Sequence, residues 1–100
     1  MGTKAKAGGA KVNLYEAMDV WKRISKTELV RYRCFRNVGT NKYSVQSADF
    51  YRLPLDPMHA ANLERQYLEL LTEQAADERA EGSFDSLAEA IEAHDREFTS

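Results

Sequence analysis

The only thiol of the chain, Cys34, is the first residue whose chemistry could support catalysis. A cysteine nucleophile needs a base within hydrogen-bonding reach, and the chain offers two histidines, His59 and His94. Cys34 lies in a run rich in Val, Tyr and Phe, whose alternation predicts that its side chain points into the core. Because a buried thiol carries little thiolate, we expect a small hydrophobic side chain here. A thiol-dependent enzyme is therefore the third-ranked hypothesis, after two binding functions, and we expect no enzyme.

The other side chains that could do chemistry form no recognisable set. The two histidines lie far apart in the sequence, without the CxxC or HxxxH spacing typical of metal sites. The many carboxylates of the second half fall mostly off the apolar stripes, which is typical of solvated helix surface. The glycines form no phosphate-binding loop. The sequence therefore predicts no catalytic residue, no metal and no cofactor.

One surface combines arginines with an aromatic ring. Alternation along residues 28–37 and 42–47 places five side chains on one face of a hairpin, which we call the hairpin face: Arg31, Arg33, Phe35, Ser44 and Gln46. Lys42 lies near the tip of the hairpin and Arg52 beyond its second strand. We expect this face to point outward, because a register slip of one residue would bury two arginines.

Two functions fit such a face. Arginine and aromatic residues are typical anchors of protein interfaces, so the first hypothesis is a non-enzymatic protein-interaction or regulatory domain, binding a protein partner or a second copy in a homodimer. The alternative is weak, sequence-tolerant binding of single-stranded nucleic acid, with bases stacking on Phe35. The pI of about 5.7 is low for a nucleic-acid binder, which favours the protein partner.

Helix signals dominate the segments around the hairpin. Asn13 followed by Glu16 resembles a capping box, and apolar residues at helical spacing follow it, so the sequence predicts a first helix over about 13–25. Asp56-Pro57 supplies an N-cap and a first-turn proline for a helix over about 57–76, with an apolar stripe from Ala60 to Leu71. Residues 75–82 are predicted to be an exposed connection. A capping box at Ser86–Glu89 precedes a last helix over about 85–98.

The hairpin turn is predicted at Gly39-Thr40, with a positive φ at Gly39. That turn pairs Cys34 with Val45, Tyr32 with Ser47 and Arg36 with Tyr43. The opposite face then belongs to the core and carries Val30, Tyr32, Cys34, Tyr43 and Val45. Phe50–Leu53 is read either as a bulged continuation of the second strand or as a short third strand.

The composition limits the number of domains and the class of protein that the chain can form. Its 100 residues, 43% hydrophobic and 30% charged, suit one domain, predicted over 13–100 behind a flexible tail over 1–12. With no apolar stretch long enough for a membrane span and one unpaired cysteine, we expect a cytoplasmic protein.

Residues 1–55 hold eleven Lys/Arg against four Asp/Glu, and residues 56–100 hold three against twelve. The two halves either pack on each other or present a basic face to a partner. The predicted class is α+β, in the order helix, hairpin, helix, helix, with an antiparallel sheet packed on helices.

Overall fold

The structure, a computed structural model, describes residues 13–79 and 82–99. It contains three strands, β1 (Tyr15–Arg23), β2 (Glu28–Asn37) and β3 (Lys42–Arg52). Two α-helices follow, α1 (Pro57–Glu73) and α2 (Leu87–Thr99), with a short 3₁₀ helix (Ala76–Glu78) between them. The α+β class is confirmed. The predicted tail over 1–12 lies outside the described residues.

The first element is a strand, so the predicted helix over 13–25 is wrong. β1 pairs antiparallel with β2 along its whole length, from Tyr15 opposite Asn37 to Arg23 opposite Leu29. Tyr15, Val20 and Trp21 are residue types that favour strands, since they pack well on a pleated surface. The sheet is therefore an antiparallel meander of three strands in the order β1-β2-β3.

The β2–β3 hairpin follows the predicted register near its turn and departs from it further along. Cys34 pairs with Val45 and Arg36 with Tyr43, as predicted, but a β-bulge shifts Tyr32 from Ser47 to Ala48. The bulge inserts one extra residue into β3, which then continues without a break to Arg52. Phe50–Leu53 is therefore no separate strand; its first three residues continue β3.

The turn itself uses asparagine where glycine was expected. Asn41 has the positive φ, 62°, while the side-chain oxygen of Asn37 accepts hydrogen bonds from the N–H groups of Gly39 and Thr40. Asparagine adopts this left-handed conformation more readily than other non-glycine residues do. The predicted positive φ at Gly39 is thus replaced by one at Asn41.

The sheet lies between the two helices. One face packs against α2 and holds the core cluster of Val30, Tyr32 and Cys34, with Leu87 and Ile91 of α2 packed on it. The other face packs against α1, whose Ala60, Leu63, Tyr67 and Leu71 are partly buried. Of the rest of the predicted α1 stripe, Leu70 is 36% exposed and Leu68 is 54% exposed.

Both helices begin where the sequence predicts, within two residues. The Asp56 side chain accepts from the N–H of Met58 at 3.0 Å, and the Ser86 hydroxyl accepts from that of Glu89 at 3.1 Å. The connection between the helices is less exposed than expected, because Ala75 and Ala76 are buried. No helix in the described ranges has the length and apolar composition that crossing a bilayer requires.

Candidate functional site

The hairpin face does not point into solvent, and this expectation is wrong. Arg33, Phe35, Ser44 and Gln46 are each less than 5% exposed. Helix α1 lies over them: the amide of Gln46 donates to the backbone oxygen of Tyr67 at 3.0 Å. Most of the surface predicted to meet a partner is therefore an internal layer between the sheet and α1.

Arg33 is the centre of that layer. Its Nε donates to Asp49 at 2.8 Å and its Nη2 to Glu64 of α1 at 2.9 Å. The guanidinium lies over the ring of Tyr67, 4.4 Å from its centroid. Burial alone would lower the pKa of Arg33, but the hydrogen bonds to Glu64 and Asp49 raise it above its ordinary value. We call these four residues the Arg33 cluster; it joins the basic and acidic halves of the chain inside the fold.

Phe35 also packs against residues of its own chain. Its ring stacks on that of Tyr67, with centroids 6.1 Å apart and planes 6° from parallel, and the ring of Tyr15 approaches its edge. The aromatic anchor expected to meet a partner or a nucleobase thus packs against the chain's own rings. The hypothesis of nucleic-acid binding by the hairpin face therefore lacks an accessible ring.

The remaining predicted contact residues lie apart from one another. Arg31 is partly buried, donates to Asp19 at 2.7 Å and lies 5.3 Å from the ring centroid of Trp21. Lys42 pairs with Asp85 at the turn end of the sheet. Arg52 pairs with Glu28 at 2.9 Å at the opposite end. The structure does not bring Lys42 and Arg52 together with Arg31 into one surface.

Cys34 has the environment of a core residue. Only 1% of it is exposed, and burial, reinforced by the negative charge of Asp19, raises the pKa of its thiol to about 12. Its Sγ donates to the backbone oxygen of Tyr32 at 3.5 Å, and no histidine of the described residues hydrogen-bonds to it. Within residues 13–79 and 82–99, no group of three or more His, Cys, Asp or Glu is placed to hold a metal ion.

The two edges of the sheet differ, and this contrast was missed because β1 was read as a helix. The outer edge of β3 is partly covered by the chain itself. Tyr43 exchanges two backbone hydrogen bonds with Phe84, both of 2.8 Å. The backbone oxygens of Gln46 and Phe50 contact Arg79 and His59, at 3.2 and 3.1 Å.

The outer edge of β1 has no such cover in the described part of the chain. Leu14 accepts from the N–H of Val38, and the N–H of Ile24 donates to Glu28, so even-numbered residues of this strand point their backbone groups towards β2. The odd-numbered residues then present their N–H and C=O groups to the outside. We call these groups the open edge: Tyr15, Ala17, Asp19, Trp21 and Arg23.

Comparison of the chain with protein-family models, with curated proteins and with solved structures gave no match.

Proposed function

We propose that this chain is a protein-interaction domain with no reaction of its own, and that it extends its sheet by pairing the open edge with a strand of another protein chain. The main observation is the asymmetry between the edges: residues of the chain partly cover β3, whereas the nine-residue β1 offers five backbone positions that none of the described residues pairs with. An uncovered strand edge is a template for another strand, and natural proteins cover or pair such edges.

The occupant that we propose is a second copy of the chain. Charge along β1 changes sign about its middle residue, Asp19, with Glu16 before it and Lys22 and Arg23 after it. An antiparallel copy centred on Asp19 therefore sets Glu16 of each strand against the basic end of the other. Such a pairing is isologous, so it closes into a dimer with a continuous six-stranded sheet.

The pairing centred on Asp19 gives favourable neighbours on both faces. Glu16 meets Lys22 of the second copy, and Ala17 meets Trp21, a residue that is 52% exposed in the single chain. The two Asp19 side chains would face each other, but each already accepts a hydrogen bond from Arg31 of its own chain at 2.7 Å. An opposite-charge cross-strand pair such as Glu16–Lys22 adds about 0.2–1 kcal/mol.

The test is the mass of the chain in solution, by sedimentation velocity between about 1 and 200 µM, the range in which moderate protein affinities are resolved. Ala17→Pro removes one N–H from the open edge and none from the β1–β2 ladder, so it should weaken dimerisation by about tenfold or more. Ala17→Thr is the matched control, because it keeps the N–H and suits a strand. A wild-type chain that is monomeric throughout this range would refute the second copy as occupant.

A charge exchange tests the register. Glu16→Lys and Lys22→Glu should each weaken the dimer, and the double variant should restore it, since the same pairs reform with reversed sign. Glu16 also pairs with Arg36 of its own chain at 2.8 Å, so the single variants are compared by their amide spectra for an intact fold. If the double variant associates no better than the single ones, the strands do not pair about Asp19.

A further inference from the structure

A cavity of about 780 Å³ opens between α2 and the sheet. Its floor is formed by Val30 and Tyr32 of β2 with Ala48 and Phe50 of β3, and its wall by α2. The register places these floor residues on one face of the sheet, since Val30 lies opposite Phe50 and Tyr32 lies opposite Ala48. A volume of several hundred Å³ is typical of small-molecule sites.

The lining is rich in aromatic rings. The rings of His94 and Phe98, one helical turn apart on α2, have centroids 4.6 Å apart, and the ring of Tyr32 lies edge-on to that of His94. Burial lowers the pKa of His94, so its imidazole is uncharged at neutral pH. Phe50 and Phe98 are 61% and 69% exposed, so large apolar surfaces border the opening. A flat aromatic ligand would cover these surfaces and make the offset or edge contacts that ring pairs prefer.

The charged groups of the lining favour neither sign of ligand charge. Asp95 supplies a carboxylate, which accepts from the hydroxyl of Tyr32 at 2.9 Å. Lys22 borders the cavity from the same face of the sheet, because it lies opposite Val30, whereas the next residue, Arg23, lies on the other face. An anionic ligand would lose its hydration near Asp95, and a cationic ligand would lose its hydration near Lys22. An uncharged ligand avoids both costs.

We propose that this cavity binds a small uncharged aromatic molecule, with its rings between the sheet and α2. Contact with the aromatic and apolar lining holds such a ligand without an ion pair. The site is separate from the backbone groups of the open edge, so binding does not require the proposed dimer.

The experiment is an NMR titration of the full chain with a matched series of ligands that share one ring system: neutral 2-naphthalenemethanol, anionic 2-naphthoate and cationic 2-naphthylmethylammonium. For the neutral ligand, saturable shifts are expected at the amides of Val30, Ala48 and Phe98, with a Kd of about 0.1–1 mM for a ligand of this size. Each ion should bind about threefold more weakly or worse, because it loses hydration beside a charge of its own sign. Absence of saturation below about 5 mM, a range that covers this Kd, would overturn the site. An ion that binds as tightly as the alcohol would overturn the uncharged ligand class.

Two variants localise the binding. Phe98→Ala removes an exposed ring from the wall and should weaken the binding of 2-naphthalenemethanol about fivefold, the usual size of one ring contact. Leu68→Ala, at an exposed apolar residue of α1, is the matched control and should leave the Kd unchanged. Ala48→Phe fills the floor and should abolish the shifts, provided that its own amide spectrum remains dispersed. Where that variant does not fold, Phe98→Ala and its control still decide, and an unchanged Kd in Phe98→Ala would overturn the placement of the ligand beside α2.

Discussion

The two faces of the sheet are both covered by a helix, yet they are held in different ways. Against α2, the side chains of Val30, Tyr32 and Cys34 form an apolar core. Against α1, the contact is made by the Arg33 cluster and by rings, and no residue of α1 itself is fully buried. Neighbouring residues of β2 thus serve two unlike interfaces.

This difference has an energetic consequence. When a substitution shortens an apolar side chain, the free energy of unfolding falls in proportion to the buried apolar surface that is removed. When a substitution removes the partner of a buried charge, the desolvation cost of that charge remains without compensation. The α1 face should therefore be the more sensitive to a change in a single polar side chain. Substitutions of single side chains on the two faces should reveal that contrast.

The largest effect is expected from Asp49→Ala. It leaves the guanidinium of Arg33, 3% exposed, without its most buried partner, so the free energy of unfolding should fall by about 3–5 kcal/mol. Urea unfolding measures this loss.

Two carboxylate variants serve as controls. Glu64→Gln, at a side chain that is 53% exposed, should cost about 1 kcal/mol or less, and Glu28→Gln at the exposed pair with Arg52 less still. If Asp49→Ala costs no more than Glu64→Gln, the Arg33 cluster is effectively solvated and the contrast between the faces fails.

The same contrast explains why the hairpin register near the turn could be predicted from the sequence and the outer surface could not. Cys34 opposite Val45 followed from turn length and alternation, which are local. The burial of Arg33 depends on Asp49 and Glu64, which are 16 and 31 positions away in the sequence. The alternation of polar residues along a strand is the same whether the polar face is exposed to solvent or covered by a helix. The charge difference between the halves of the chain was the available signal, since one of its two readings was packing of the halves on each other.

The first strand was missed for a related reason. In β1, Met18 and Val20 face the α2 side, while Ala17, Asp19 and Trp21 face the α1 side. Because both faces carry apolar residues, the strand lacks a clean period of two, and its apolar positions also fit a helical stripe. The open edge of β1 and the cavity beside α2 both depend on this strand, so neither could be inferred from the sequence.

An intermediate effect is expected from two matched tyrosines, one on each face. The hydroxyl of Tyr32 donates to Asp95 on the α2 side, and that of Tyr15 donates to Asp77 on the α1 side, both at 2.9 Å. Tyr32→Phe and Tyr15→Phe should each cost about 1 kcal/mol, the usual net value of one hydrogen bond. Amide hydrogen exchange should show faster opening of α2 in the first variant and of Ala76–Glu78 in the second.

The two tyrosines also predict the alkaline limit of stability. Burial, followed by the bond to the aspartate, raises the pKa of each to about 12. Both contribute stability that is complete below the unfolded pKa of about 10 and is lost as pH rises towards 12. Replacing either by Phe should make the loss of stability above about pH 10 less steep. An unchanged slope in Tyr32→Phe would mean that neither burial nor the bond to Asp95 raises the pKa of Tyr32 in the folded chain.

The smallest effect is expected at His94, on the α2 face. Burial lowers the pKa of its imidazole below 6.5, although the nearby charges of Asp95 and Glu97 act in the opposite direction and Arg79 adds to the lowering. The unfolded chain therefore takes up a proton first as the pH falls. His94 contributes stability that is complete above about pH 6.5 and declines below it, down to the folded pKa.

The difference in unfolding free energy between the wild type and His94→Gln, measured by urea unfolding at several pH values, should shrink as the pH falls below 6.5. His59→Gln, at the exposed histidine in the first turn of α1, is the matched control. A constant difference for His94→Gln across this range would show that the imidazole beside the cavity is as well solvated in the folded chain as in the unfolded one.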